Sequence, residues 1–140
     1  KNMTRFNISI REAIQMVHWT LENALGGEIF VPKIPSYRIT DLAEAIGPNC
    51  KQELIGIRAG EKIHEEMITS SDSFSTIDIG KYFAILPSNK SLHSKYLSDK
   101  KNKEVEKNFS YNSGSNPDFL SVDQLRALIK ANVDSNFQPK

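Results

Sequence analysis

Cysteine is almost missing from this chain: Cys50 is the only one among 140 residues. It can close no internal disulfide, which fits a reducing compartment and leaves the fold to packing. Long apolar runs are missing too. None approaches the roughly 18 residues that a membrane-crossing helix needs. The start of the chain, residues 1–6, lacks the apolar stretch of a signal peptide. We therefore expect no membrane partner and a cytoplasmic setting. Neither charge dominates, since 18 Lys and Arg against 17 Asp and Glu give a formal charge of +1. That balance excludes a strongly basic nucleic-acid binder. The Lys-rich stretch from Lys90 to Lys107 has Tyr96 as its one aromatic residue, so it reads as a solvated loop and not as a nucleic-acid surface.

Several chemical motifs are also lacking. His18, His64 and His93 match no metal-ligand spacing, and His64-Glu65-Glu66 has no second His of a zinc-protease helix. Cys50 has no partner base nearby in sequence. Gly26-Gly27 precedes a strand, whereas a phosphate loop follows one. Position 1 is Lys and not Met, which we read as a cut end.

The composition itself is that of an ordinary globular protein, 39% hydrophobic and 25% charged. A chain of this length can bury roughly 68–70% of its unfolded surface. Ser9 and Glu12 form a capping box, and Ile10, Ala13, Ile14, Val17, Leu21, Ala24 and Leu25 follow at helical spacing. Gly26 and Gly27 offer a left-handed stop. Ile29-Phe30-Val31, closed by Pro32, reads as a strand. Thr40 is the next N-cap, followed by Leu42, Ala43, Ala45 and Ile46, with Gly47-Pro48 ending that helix.

A second strand is expected over Glu53–Ile57, then a helical stretch with Ile63, Met67 and Ile68 on one face. Short strands are expected around Ile77, Ile79 and Tyr82–Leu86. Ser88 to Asn108 reads as a long polar excursion outside the core. Residues 111–117 carry turn chemistry. Ser121 and Gln124 cap a closing helix at 122–132, and Leu120 and Leu125 stand at hydrophobic-staple positions.

One segment stands out chemically. Arg58 sits where a strand would end, and Gly60 permits a tight turn into a helix. An Arg there can hold a diphosphate through two parallel hydrogen bonds. Glu61 can accept hydrogen bonds from sugar hydroxyls. The residues alone also allow an ordinary turn with Arg58 in a surface ion pair.

Several blocks together carry a resemblance: Met3–Phe6, Gly26–Ser36, Ile39–Ala43, Ile55–Ile68, Phe109–Gly114 and Phe119–Leu125. In this order and spacing the chain resembles the C-terminal part of bacterial nucleotide-sugar 4,6-dehydratases of the polysaccharide biosynthesis protein family. Within that family it is similar to the inverting UDP-N-acetylglucosamine 4,6-dehydratases that open pseudaminic acid biosynthesis, and to capsule-type dehydratase/5-epimerases.

The resemblance implies an α/β fold, the C-terminal part of an extended short-chain dehydrogenase/reductase, with short strands and about four helices. It implies a substrate-binding region over 1–68, whose strand joins a Rossmann sheet. A polysaccharide-biosynthesis C-terminal region would follow over 69–140, with its Lys-rich excursion at 88–108. It also implies oxidation at C4 of the hexose, loss of water across C5 and C6, and hydride return to C6. NADP or NAD would be bound by a domain outside this chain, and no cofactor is expected here. The resemblance places the family's catalytic Tyr-x-x-x-Lys pair in that cofactor domain; the Tyr with a Lys four residues on here, Tyr96 with Lys100, lies instead in the Lys-rich excursion. No catalytic residue is expected in the chain, which should be inactive alone.

The family's Arg-Pro-Gly-Glu turn would place Arg58 at the diphosphate and Glu61 at the ribose of a UDP-sugar, with Ala59 replacing the Pro. Arg5 matches an Arg near that site, as a substrate contact or a structural ion pair, and Asn7 replaces an aromatic. The exposed strand edge of the piece implies a homo-oligomer or a swapped dimer. A non-catalytic binding or assembly module is the alternative from another class.

Overall fold

The structure, a computed structural model, describes residues 2–140. Strand β1 spans Thr4–Phe6, helix α1 Ile10–Asn23, β2 Ile29–Pro32, β3 Ser36–Arg38 and α2 Ile39–Ile46. Then come β4 at Glu66–Ile68, a 3-10 turn at Asp72–Ser75, β5 at Thr76–Asp78 and β6 at Tyr82–Ile85. The chain closes with α3 at Lys90–Leu97, β7 at Lys103–Glu104, β8 at Tyr111–Asn112 and α4 at Val122–Asn132. These elements fall into two compact units. One takes residues up to Asn7, Ile34–Glu65 and Ser113–Lys140; the other takes Ile8–Lys33 and Glu66–Asn112.

In the first unit β1 pairs antiparallel with β3, setting Thr4 against Arg38, Arg5 against Tyr37 and Phe6 against Ser36. Helices α2 and α4 pack through Ala45, Leu120 and Leu125, with Tyr37, Leu42, Val122 and Leu128 around them. The capping box at Ser121 and Gln124 forms as the sequence predicts. Asn116 stitches β3 to the 116–120 segment, donating to the Ile34 carbonyl and to Ser36 Oγ, each at 2.9 Å. Helix α2 begins one residue before the expected cap. Its N-cap is Arg38, and the Ile39 N–H goes to the Met3 carbonyl at 3.0 Å. A backbone oxygen thus satisfies the first free N–H of the helix, and no side chain caps it.

In the second unit the sheet runs in the order β2-β6-β5-β7, every pair antiparallel, and β4 pairs with β8. Helix α1 has the Ser9–Glu12 capping box. Its Trp19 ring packs on Phe30 and Tyr82 at 5.2 and 4.5 Å between centroids. Yet Ile10, Ile14, Val17 and Leu21 are exposed. The apolar stripe that signals the helix is therefore its outer face, and the helix docks instead through the side that carries Trp19. The helix ends at Asn23, ahead of the glycines, which take φ of +118° and +88° in the turn into β2.

Three further expectations fail. Glu53–Ile57 is not a strand: Gly56 sits at φ +87° and no neighbour completes a ladder, so Leu54 and Ile55 stay 70% and 79% exposed. The helix expected through Ile68 is replaced by β4, because pairing with β8 outweighs local helix propensity. The Lys-rich stretch is not wholly outside the core: α3 buries Leu92 and Tyr96 against Ile77, Ala84 and Leu86.

Tyr96 also closes a small polar cluster. Its hydroxyl donates to Glu28 Oε1 at 2.7 Å, while the Leu25 and Gly26 N–H groups donate to the same carboxylate at 2.7 and 2.6 Å. Partial burial opposes the charge of Glu28, but these hydrogen bonds prevail and hold its carboxyl below the usual range. Burial, then the bond to Glu28, pushes the Tyr96 phenol up. Replacing Tyr96 by Phe should cost about 1 kcal/mol of stability in urea denaturation near neutral pH. A depressed carboxylate stabilises fully above its unfolded pKa, and that contribution is lost as pH falls through the folded value. The gap between the two proteins should therefore narrow in acid, below the ordinary Glu range.

Candidate functional site

The candidate residues gather in the first unit. Arg58 and Glu61 close a β-turn in which the Glu61 N–H donates to the Arg58 carbonyl at 3.1 Å. Gly60, third in the turn, has φ +80°, the requirement of a type II turn. Glu61 returns the contact, its Oε2 accepting from the Arg58 N–H at 3.2 Å. Both backbone polar groups of Arg58 are thus satisfied within the turn. Among the described residues no ion pair engages its exposed guanidinium.

The ion pair that the residues left open belongs instead to Arg5. Its Nη2 is 3.8 Å from Glu61 Oε1 and its Nε is 3.5 Å from Glu65 Oε1. The same guanidinium donates to the carbonyls of Thr4 at 2.7 Å and Ile63 at 3.4 Å. Arg5 thus ties the turn to β1. Tyr37 stands opposite it in the β1–β3 ladder. Burial first, and then the Glu65 charge, pushes the Tyr37 phenol up against the opposing effect of Arg5.

A second group of residues holds the same segment from its far end. Thr4 Oγ1 lies 2.8 Å from His64 Nδ1 and 2.7 Å from Ser113 Oγ. The Glu65 N–H donates to Ser113 Oγ at 2.9 Å, and the Ser113 N–H to the Glu65 carbonyl at 2.8 Å. No sequence signal joins these residues, which lie 60 and 109 positions apart. An open, mostly apolar groove of about 510 Å³ adjoins the turn, lined by Met3, Ile39, Leu54, Ile55, Ile57 and Ile63 among others. Ile57 and Ile63 flank the turn on its two sides.

The turn presents an exposed guanidinium and a carboxylate next to an apolar groove. Among the described residues no three His, Cys, Asp or Glu gather as a metal set. Nor do the described residues fit a dinucleotide. The strand pairs are antiparallel, the one parallel contact is an isolated bridge from Ser36 to Phe119, and no glycine-rich turn links a parallel strand to a helix.

Residues 1–87 match the family described as polysaccharide biosynthesis protein. The chain belongs to that family. It is 46% identical over 132 residues to a UDP-N-acetylglucosamine 4,6-dehydratase (inverting) of Campylobacter jejuni, an alignment covering 91% of this chain and 40% of that protein. It is 34% identical to a UDP-glucose 4-epimerase of Rickettsia akari, covering 91% of this chain and 38% of the relative. Among solved structures it resembles Pen from Bacillus thuringiensis, with a TM-score of 0.74, 28% identity, and coverage of 93% of this chain and 39% of that one. The chain therefore spans about two fifths of the length of these relatives. The expected fold class holds: mixed α/β with four helices and short strands, part of an extended short-chain dehydrogenase/reductase fold.

The turn geometry explains why the family can place Pro where this chain has Ala59. The second position of a type II turn prefers the φ that proline enforces. Ala59→Pro should stabilise the chain by about 0.4–1 kcal/mol, whereas Gly60→Ala should destabilise it by about 1 kcal/mol or more, because φ +80° strains a β-carbon. Urea denaturation of both variants checks the pair of opposite signs.

Proposed function

We propose that this chain is the substrate-binding portion of a nucleotide-sugar 4,6-dehydratase acting on UDP-N-acetylglucosamine, in surface-glycan or pseudaminic acid synthesis in the cytoplasm. The observation that carries the reading is the self-contained Arg58–Glu61 turn. Its backbone is satisfied internally, so the unpaired guanidinium is available to a diphosphate. The Glu61 carboxylate stands beside it for ribose hydroxyls, and the adjoining apolar groove offers a wall for a flat base. The 46% identity to the Campylobacter jejuni protein supports the choice of sugar nucleotide. The oxidation, the elimination and the cofactor, NADP or NAD, are assigned to residues outside this chain.

Titration with UDP and with UDP-N-acetylglucosamine tests the reading by calorimetry. Arg58→Ala should weaken both by at least about tenfold, equivalent to about 1.4 kcal/mol, and Glu61→Gln should weaken both less. Binding unchanged by Arg58→Ala sinks the assignment.

We further propose that copies of the protein associate through the second unit. There β2 is an edge strand of its sheet, and the outer stripe of α1 is apolar and exposed. Light scattering should give a mass above that of one copy, and Leu21→Lys should lower it. A single-copy mass for the unaltered protein overturns this part alone.

A further inference from the structure

The hydroxyls of Thr4 and Ser113 are buried, at 4% and 0% exposure, so the direction of each hydrogen bond around them matters. Ser113 Oγ accepts from the Glu65 N–H. Among the described residues the one acceptor for its own hydrogen is Thr4 Oγ1, at 2.7 Å. Thr4 must then send its hydrogen to the remaining neighbour, His64 Nδ1, at 2.8 Å. All three hydrogens are placed only when that nitrogen carries none. With a hydrogen on Nδ1, either the Thr4 or the Ser113 hydroxyl is left buried and unpaired, because only one of the two can point at the other.

The space for this contact is made by Gly114. A β-carbon there would fall 2.5 Å from His64 Nδ1. The imidazole thus lies with the Nδ1 side of its ring face over a glycine, and its Nδ1 meets the buried Thr4 hydroxyl.

We propose that His64, as the neutral tautomer with its hydrogen on Nε2, is a positioning residue for the Arg58–Glu61 turn. It accepts the last hydrogen of a relay running from the Glu65 amide through Ser113 and Thr4. Two residues separate it from Glu61, and Arg5 grips that same stretch through Glu61, Ile63 and Glu65. Fixing His64 therefore fixes the exit of the turn and the direction in which Arg58 and Glu61 project. Its role in ligand affinity rests on the proposed nucleotide-sugar reading; its role in ordering the segment does not.

The experiment joins two readouts on the full chain. Nitrogen-15 NMR of the His64 ring should show Nδ1 unprotonated and Nε2 protonated. A protonated Nδ1 in the neutral ring overturns the relay. His64→Ala should weaken UDP binding by roughly tenfold and speed amide exchange at Glu61 and Glu65 by a similar factor. His64→Asn, which can place an oxygen where Nδ1 lies, should restore most of both. Gly114→Ala, which displaces the ring without touching its chemistry, should reproduce the alanine effect. If His64→Ala leaves the exchange of Glu61 and Glu65 unchanged, or if Asn rescues no better than Ala, the positioning role is wrong. If the unaltered protein fails to bind UDP, the nucleotide-sugar reading falls, while ring tautomer and exchange still decide the relay.

Discussion

The candidate site depends on one constraint: a three-residue strand must hold a turn some fifty residues further along the chain. Successive residues of a strand point to opposite faces, and β1 uses both faces. Thr4 turns inward to His64 and Ser113, and Arg5 turns toward Glu61 and Glu65. The Thr4 N–H completes the attachment by donating to the Ile63 carbonyl at 3.0 Å. Without these contacts the stretch from Lys51 to Glu65, which has no helix or strand of its own, would have little to order it. Arg5 thus acts by positioning, through partly exposed ion pairs that are individually weak but converge on one segment.

The second unit solves an equivalent problem with the opposite chemistry. The turn between α1 and β2 is held by a single carboxylate, Glu28, which collects two backbone N–H groups and the Tyr96 hydroxyl. That contact also docks α3, which otherwise rests on Leu92 and Tyr96 in the apolar cluster. Hydroxyls order one segment and an anion the other. In both cases a group distant in sequence fills backbone or side-chain valences that the local segment cannot satisfy itself.

Legibility in the sequence follows the range of the interaction. The capping boxes at Ser9 and Ser121 are local, span three residues, and stand as expected. The turn at Arg58 is local as well, and Gly60 announces it. The errors arise where a distant partner decides. Nothing near Glu66 indicates that it will pair with Asn112, so helix propensity misleads there. Ile39 takes its cap from Met3, which no helix-start rule can foresee. Composition hides the α3 segment. Apart from Leu97 at its end, only Leu92 and Tyr96, four apart on one face, reveal its buried side. The hydroxyl relay is wholly invisible, since Thr, Ser and His at separations of 60 and 109 form no motif.

This division of labour bears on how such a chain would serve an enzyme. In the proposed reading, Arg58 and Glu61 hold the nucleotide, a part of the substrate that does not react. Interactions with a non-reacting part speed a reaction only when their energy orients the reacting part, since equal binding of substrate and transition state leaves the chemical step unchanged. Orientation demands a rigid attachment: a misplacement of about 1 Å can cost on the order of a hundredfold in rate. A turn on a loosely tethered loop could bind UDP and still orient nothing. In that reading, the grip of Arg5 from one face of β1 and of the Thr4–His64 contact from the other suits the turn to aiming a sugar and not merely to holding one.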